Sequence, residues 1–519
     1  MESSFIGYSR GDYSSKTFQA VNPATGEKLP THYAYASDEE VSLACELAKN
    51  ASLHLCELSG KAKSDFFMTL AESLDSIVDA LVETMTNETG LPEARVRGET
   101  ARTTAQLRMF SKLVEEGSWV DARIDRAQPD REPLPKPDLR SMLRPVGPVA
   151  VFCASNFPLA FSVAGGDTAS AWAAGCPVIV KAHHAHPGTA FLVAEKVVES
   201  MKKCSWPEGA FSLLYGEGRT VGQRLVSNPA VKAVGFTGSR SGGRALFNLA
   251  SQRPEPIPVF AEMSSINPLF VLSEMDEIKV KDFSSGLCGS ATLGVGQFCT
   301  NPGIVFHPGG EWGEKFITQY ADKMKEVSAS PMLHSGIKDA FEQGLKALAS
   351  CEGVELVHRT TLDNDDVGSF AGPAVLSCCG KDFLADDAMM DEVFGPSTLL
   401  VSYDSSEELL EIARQLEGQL TVSVFGESAD LNDSNDLMMI LETKAGRILF
   451  NQFPTGVEVC PSVVHGGPYP ATTDARTTSV GTGAILRFAR PVCYQGFPEE
   501  WLPDELKEEN PLNIIRSEC

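Results

Sequence analysis

The chain has 519 residues, 43% of them hydrophobic and 22% charged, which is enough for two or three domains with large cores. Its 44 basic and 69 acidic residues give a net charge of −25. This charge disfavours nucleic acids and anionic membrane surfaces as partners, because both bind basic patches. The polar N-terminal segment lacks the pattern of a secretory signal, and we find no apolar run of membrane-spanning length. An odd number of cysteines, 13, without paired zinc spacing favours reduced thiols in a cytoplasmic protein.

The predicted elements fall into two parts along the chain. Residues 38–117 place apolar side chains at three- and four-residue spacing, which predicts helices. Residues 126–140 are rich in proline and charge and predict an extended connector. After it, strands (VGPVAVFCAS, PVIVKAH, FSLLYG, AVGFTG, PVFAEM) alternate with helices, one of which begins at Pro187. This alternation is typical of βαβ units in a mostly parallel α/β sheet, and a second alternating region runs over 267–460.

Candidate functional residues follow the predicted strands, where ligands of parallel sheets bind. Asn156, Lys181 and Glu262 each lie at such a strand end. Each also has an ordinary interpretation, as a turn residue, a charge extending from the sheet, or a solvated acid. Gly238 and Gly243 flank a strand-to-helix turn that either admits a phosphate or simply turns the chain. No GxGxxG follows the first of these strands, so the usual dinucleotide fingerprint is missing.

The segment KAHHAHP contains three histidines, His183, His184 and His186, which are potential metal ligands. A metal site needs a complete set of ligands. No second cluster in the sequence completes the set, so the sequence predicts no metal site.

Cys299 differs from the other cysteines because it lies in GVGQFCTNPG, between a phenylalanine and small or turn-forming residues. A structural thiol is usually surrounded by apolar side chains. A nucleophilic thiol needs an open approach and groups that stabilise its anion. The context of Cys299 therefore fits a nucleophile, provided the rest of the chain supplies those groups.

The motifs ASNFP, VIVKAH, GFTGS, AEMSSINP, GQFCTNPG and DEVFGP, in this order, resemble those of the aldehyde dehydrogenase superfamily. The resemblance extends from VNPATGEKLP to HGGPYP and so covers nearly the whole chain. It implies a Rossmann-like cofactor domain formed by 1–131 and 146–258, and an α/β catalytic domain formed by 259–485. It also implies a small oligomerisation arm, formed by 132–145 and 486–519, in a homodimer or homotetramer.

The resemblance further implies an NAD(P)-dependent oxidation of an aldehyde. Cys299 attacks the aldehyde carbon to give a thiohemiacetal, and a thiol suits this role because it also leaves readily. The side-chain amide of Asn156 and the backbone N–H of Cys299 stabilise the oxyanion. After hydride transfer, Glu262 acts as the general base that activates water to hydrolyse the thioester.

By the same resemblance, the cofactor lies against the strand ends. Lys181 binds the adenine-side ribose, Ser239 lies near the pyrophosphate with Gly238 and Gly243, and Glu392 with neighbouring Phe394 holds the nicotinamide ribose.

Two departures from the family pattern affect these expectations. The usual lysine-x-x-glutamate reads KAHH, so His184 replaces an acid that would repel a 2′-phosphate. Together with Arg219, which follows the next strand, this favours NADP, with NAD use still possible. The usual ELGG reads EMSS, which retains Glu262 but changes the backbone after it.

Within the superfamily, the chain most resembles α-ketoglutarate semialdehyde dehydrogenases and, as an alternative, NADP-linked fatty aldehyde dehydrogenases. An acidic substrate requires a cation in the entrance tunnel, and the resemblance places Arg102 there. Phe157 and Phe298 would form apolar walls for either substrate. The alternative for Arg102 is a solvated helix face shared with Arg95, Arg97 and Arg108.

Two further alternatives concern the activity itself. A catalytically inert binding or structural protein of the same fold is disfavoured, because Cys299, Glu262, Asn156 and Lys181 are all retained. Transfer of the thioester to coenzyme A is disfavoured by Glu262, since that reaction needs no water-activating base.

Overall fold

The computed structural model describes residues 1–362 and 367–519. The region 38–117 is mostly helical, as predicted. The helices run over Asp38–Leu55, Gly60–Asp75, Val78–Thr89 and Glu93–Glu116. Ser37 begins the first of them with a capping box, in which its hydroxyl accepts from Glu40 N and the Glu40 carboxylate accepts from Ser37 N.

The first large sheet lies behind these helices. Its strand order is Val259–Glu262, Ala233–Thr237, Val149–Phe152, Val178–Lys181, Phe211–Leu214, Phe5–Ile6 and Ser9–Arg10. The strands from 149 to 262 are parallel, and the N-terminal hairpin joins antiparallel. The intervening helices are Gly166–Ala174, Pro187–Lys203, Gln223–Ser227 and Arg240–Ser251. Pro187 does occupy the first turn of its helix, which confirms the predicted start.

The second large sheet begins seven residues after Glu262. Its strand order is Glu355–Arg359, Ala374–Cys379, Ser397–Tyr403, Ile304–Pro308, Leu269–Val271, Gln419–Phe425 and Ala445–Phe450. All pairings are parallel except that of Glu355–Arg359. Its helices are Glu277–Thr292, Gly310–Lys325, Ser335–Ala349, Gly380–Ala385, Ser406–Gln415, Ser428–Asp433 and Asn435–Glu442. The central strands of both sheets are buried throughout, because helices cover both faces.

A smaller sheet joins two distant parts of the chain. Leu139–Pro145 pairs along its whole length with Ala489–Gln495, and Arg123–Asp125 and Ser517–Glu518 complete this sheet. Residues 126–138 contain one isolated bridge, between Gln128 and Lys136, which agrees with the predicted extended connector. Two short ribbons pair Thr17–Phe18 with Tyr33–Ala34 and Ser330–Pro331 with Phe370–Ala371.

The remaining helical segments are short and of the 3-10 or π type. They are Ser118–Val120, Gly218–Gly222, Leu293–Gly296, Asp387–Met390, Thr482–Phe488, Glu499–Trp501 and Asp504–Leu506. Among the helices described, none combines the length and apolar character needed to cross a membrane. All thirteen cysteines lie in the described ranges, and all are free thiols.

Candidate active site

A left-handed turn delivers Cys299 to the site. After the helix Glu277–Thr292, the consecutive residues Gly294, Val295 and Gly296 have φ values of 58°, 59° and 66°. This conformation is unfavourable for a β-branched residue such as Val295. A Cβ on Gly296 would lie 2.3 Å from the backbone of Gly395, so only glycine fits there. The GVG sequence therefore allows the sharp turn and close backbone contact that precede Cys299.

Asn267 holds the loop that follows this turn. Its side chain is fully buried, and its Nδ2 donates to the carbonyl oxygens of Cys299 (2.8 Å) and Asn301 (2.9 Å). Its Oδ1 accepts from Thr421 Oγ1 at 2.9 Å. The position of Cys299 is thus fixed by buried hydrogen bonds before any ligand binds.

Cys299, His465 and Glu262 form one contact group. The Cys299 Sγ lies 3.3 Å from His465 Nε2, and the same ring nitrogen lies 2.9 Å from Glu262 Oε1. Since an ionised carboxylate only accepts, these contacts assign a hydrogen to Nε2. Ser479 Oγ donates to the other Glu262 oxygen at 2.6 Å. Both oxygens of the carboxylate are therefore positioned beside the thiol.

The surroundings shift the pKa values of Glu262 and Cys299 in opposite directions. Burial alone would raise the pKa of Glu262, but His465 and the Ser479 hydroxyl stabilise its anion and lower that pKa. Burial raises the pKa of Cys299 well above its ordinary value. The neighbouring Glu262 charge raises it further, and Arg102 opposes this. In the ligand-free protein, Cys299 is therefore a neutral thiol and Glu262 is an ionised carboxylate.

Asn156 lies next to the Cys299 loop, as its predicted role requires. Its Nδ2 donates to the carbonyl oxygen of Gln297 at 3.1 Å. Gln297 in turn accepts from Leu333 N at 3.0 Å through its side-chain oxygen. Stabilising an oxyanion would require the Asn156 amide to exchange this bond for the substrate oxygen.

Two of the predicted cofactor residues, Lys181 and Ser239, lie at the carboxyl edge of the first sheet. Lys181 ends its strand and is buried rather than extending into solvent, and burial lowers its pKa. Ser239 is exposed and caps the helix Arg240–Ser251 by accepting from Gly242 N at 3.2 Å. This N-terminus and the Lys181 ammonium suit a dinucleotide phosphate and ribose.

The glycines of this edge have packing roles in the ligand-free protein. A Cβ on Gly238 would lie 2.8 Å from the Phe236 ring. A Cβ on Gly243 would lie 2.7 Å from Met263, so glycine here lets the helix approach its neighbouring strand. The direct contact of Gly243 with a phosphate remains a prediction.

The other predicted cofactor residues differ in exposure. Burial raises the pKa of Glu392 to about 7, although the Ser264 hydroxyl and the Ser265 backbone stabilise its anion. The neighbouring Phe394 is half-buried. His184 and Arg219 are exposed, with Arg219 in the turn Gly218–Gly222.

A cavity of about 220 Å³ opens onto Cys299. Phe157 and Phe298 line it as predicted, in edge contact with centroids 5.3 Å apart, and Phe161 adds a third ring. Arg102 also lines this cavity, so its alternative as part of a solvated helix face is wrong. Arg95, assigned above to the same solvated face, lines the cavity as well.

The two arginines are not equally neutralised. Arg95 forms an ion pair with the buried Glu99 at 2.8 Å, without good hydrogen-bond geometry. Arg102 lies over the rings of Phe157 and Phe161, and its Nε is buried without a hydrogen-bond partner among the described residues. Burial lowers the pKa of Arg102, and the charge of Glu99 partly offsets this effect. Among the described residues, Arg95 therefore has an ion-pair partner and Arg102 has none.

Sequence reasoning missed His465, Ser479, Arg95 and Phe161. For His465 a local signal existed, because HGG places two glycines directly after it. A Cβ on Gly467 would lie 2.1 Å from Gln419 O, so this segment packs tightly against the second sheet. In the sequence, the HGGPYP motif contributes to the overall resemblance but assigns no role to His465.

Comparison with known proteins agrees with this site. A sequence model of the aldehyde dehydrogenase family matches residues 11–468. Alpha-ketoglutaric semialdehyde dehydrogenase 2 of Azospirillum brasilense is 47% identical over 97% of this chain and 96% of its own length. An alpha-ketoglutaric semialdehyde dehydrogenase of Acinetobacter baylyi is 41% identical over 99% and 97%. The structure of aldehyde dehydrogenase C from Pseudomonas syringae is similar in fold, with a TM-score of 0.81, 20% identity and coverage of 96% and 97%.

The chain belongs to the aldehyde dehydrogenase family. It is an α/β enzyme that oxidises an aldehyde to a carboxylate.

Proposed function

We propose that the substrate is α-ketoglutarate semialdehyde and that the product is α-ketoglutarate. The observation that carries this proposal is Arg102, a half-buried cation in the cavity of Cys299 whose Nε is buried without a hydrogen-bond partner among the described residues. Leaving such a donor unsatisfied is costly, whereas a carboxylate would accept its hydrogen bonds. The two relatives named as α-ketoglutaric semialdehyde dehydrogenases support the same substrate.

The alternative, a fatty aldehyde, fits the cavity less well. Its volume of about 220 Å³ is below the roughly 300–1,000 Å³ typical of sites for drug-sized ligands, which favours a short substrate. A hydrocarbon tail would also leave Arg102 without an anion. The aromatic walls then serve to hold the guanidinium groups and the short carbon chain.

In the acylation half of the reaction, Cys299 attacks the aldehyde carbon as a thiolate. The charge of Arg102 opposes the effect of Glu262 on the pKa of the thiol, and the thiol proton leaves to solvent. The amide of Asn156 and the N–H of Cys299 then donate to the oxyanion of the thiohemiacetal. The bound dinucleotide supplies the hydride acceptor.

In the deacylation half, Glu262 acts as the base. Its low pKa keeps it ionised, and it removes a proton from the water that attacks the thioester. His465 and Ser479 are positioning residues, since each holds one carboxylate oxygen. Breaking the C–S bond releases the carboxylate product and the Cys299 thiolate. The thiolate takes up the proton that Glu262 removed from water, which restores the neutral thiol and the carboxylate.

Arg102→Leu should weaken oxidation of α-ketoglutarate semialdehyde while leaving hexanal, of similar length, unchanged or improved. Loss of a charge-assisted bond in a partly desolvated site costs about 2–3 kcal/mol, or about 30- to 150-fold in kcat/KM. Arg108→Leu is the matched control, because Arg108 lies on the same helix but pairs with Asp75 outside the cavity. An equal fall for both aldehydes would make Arg102 structural, and a preference of the unmodified enzyme for hexanal would favour the fatty aldehyde reading.

We also propose that NADP is preferred. His184 takes the place of the acid in the family pattern, and Arg219 adds a positive charge near the adenine-side ribose. In direct titrations, NADP should bind more tightly than NAD, and Arg219→Ala should reduce this margin by about tenfold. Arg224→Ala is the control, since Arg224 pairs with Asp38 instead. Tighter binding of NAD by the unmodified enzyme would contradict the proposal.

The coupling between Glu262 and the thiol predicts a shifted pH profile. Because the carboxylate raises the pKa of Cys299, Glu262→Gln should lower that pKa and increase the thiolate fraction at a given pH. Iodoacetamide modification of the Cys299 peptide, followed by mass spectrometry, should therefore accelerate at about pH 8 in this variant. A shift of the profile to higher pH would instead assign Glu262 as the base that activates the thiol.

The small sheet is proposed as the oligomerisation arm of a homodimer or homotetramer. Support comes from large apolar side chains exposed near it, including Phe497, Trp501 and Ile515. The domain limits, 1–131 with 146–258, 259–485, and 132–145 with 486–519, follow from the same resemblance. A reducing, cytoplasmic location is proposed from the thirteen free cysteines.

A further inference from the structure

Three histidines from the two large sheets meet beside the cofactor edge. His183 and His184 follow the strand Val178–Lys181, whereas His334 precedes the helix Ser335–Ala349 of the second sheet. One ring nitrogen of each lies within 4.8 Å of the others. The ring centroids are 4.4 Å apart for His183 and His184, 5.2 Å for His184 and His334, and 5.9 Å for His183 and His334. His334, about 150 residues after the KAHHAHP segment, thus supplies a third ligand beside His183 and His184.

We propose that His183, His184 and His334 bind a divalent transition metal ion that links the two sheets. Imidazole nitrogens bind such ions at about 2.0–2.1 Å, which places tetrahedral ligands about 3.4 Å apart. Contraction by at most about 1.4 Å from the observed limit would therefore assemble the site. Three protein ligands leave one position open for water or an anionic ligand.

Surrounding contacts orient these rings. His186 is fully buried, stacks on His183 with centroids 5.4 Å apart, and bonds to Ala154 O through Nε2 at 2.8 Å. Leu333, next to His334, is buried in the core of the first sheet. His183 Nδ1 accepts from Ala185 N at 3.2 Å, and metal binding through either ring nitrogen gives up this one bond. Such supporting contacts reduce the reorganisation needed for metal binding.

The site would affect the enzyme through cofactor binding. His184 lies three residues after Lys181, and a dication is repelled by the ammonium group that binds the ribose. Metal and dinucleotide should therefore compete for this edge of the sheet. The metal would also connect the loop after Lys181 to the second sheet.

The test is a titration of the full chain with cobalt(II) chloride, because its absorption bands report ligand type and geometry. The Cys299→Ser background is used, since Glu262, Cys299 and His465 form a second group of potential ligands. We expect one equivalent bound without a thiolate charge-transfer band, and displacement by zinc. His334→Ala and His184→Ala should each weaken binding by at least about 100-fold, because even an outer-shell partner contributes about 10- to 100-fold. His54→Ala, at an exposed position, should not change it.

The outcome is independent of aldehyde oxidation, since binding is read from the metal. Circular dichroism checks that each variant folds, and His334→Gln provides a second variant that keeps a polar side chain. Absence of saturable cobalt binding would overturn the proposal, as would folded His334→Ala and His334→Gln variants that bind cobalt as tightly as the Cys299→Ser background. In the Cys299→Ser background, NADP should raise the apparent dissociation constant for cobalt. Cobalt binding that NADP does not affect would contradict the proposed competition.

Discussion

Cys299→Ser should lose dehydrogenase activity by about 10⁴-fold or more while the protein remains folded and still binds the dinucleotide. Serine keeps roughly the size of the side chain, but its hydroxyl ionises far less readily than a thiol, and the neighbouring His465 Nε2 donates to Glu262 and is not free to act as a base. Removal of a nucleophile typically has effects of this size. The measurements are steady-state turnover and cofactor binding by fluorescence titration.

Cys288→Ser is the matched control for this prediction. Cys288 is buried in the core beneath the second sheet and does not line the substrate cavity. Its replacement should change the free energy of unfolding more than turnover. Near-normal turnover of Cys299→Ser would end the proposed mechanism, because none of the other groups at the site forms the thioester.

Glu262→Gln should retain the first turnover and lose the later ones. Hydride transfer precedes hydrolysis, so the variant should show a burst of reduced cofactor followed by a steady rate lowered by about 10²–10⁴-fold. A glutamine still accepts from His465 or Ser479, so the geometry is largely kept, but it is a poor proton acceptor. Stopped-flow absorbance and mass spectrometry of the acylated Cys299 peptide measure the two phases.

Ser479→Ala separates the base from its support. It removes the hydrogen bond to Glu262 Oε2 but keeps the carboxylate, so the steady rate should fall less than in Glu262→Gln. Equal loss of the burst and of the steady rate in Glu262→Gln would place its role before hydride transfer. A full steady rate would exclude it as the hydrolytic base.

The local pattern of the sequence was sufficient for the fold class and for much of the site. Alternating strands and helices require a parallel sheet, and such a sheet aligns its strand ends at one edge. The sequence therefore predicts that Asn156, Lys181 and Glu262 lie at one edge of the sheet. The ordered motifs then predict Cys299 as the nucleophile, because it follows these strand ends in the order of the family motifs.

Only the tertiary structure brought together residues that are distant in sequence. His465 lies 203 residues from Glu262, and Ser479 lies 217 residues from it, so no local pattern connects them. The inward direction of Arg95 depends on packing of its helix against Phe157 and Phe298, which helical periodicity alone does not fix. His334 reaches His183 and His184 only because the second sheet packs beside the first. Sequence patterns record local geometry, whereas the chemistry of these sites depends on contacts between separate elements.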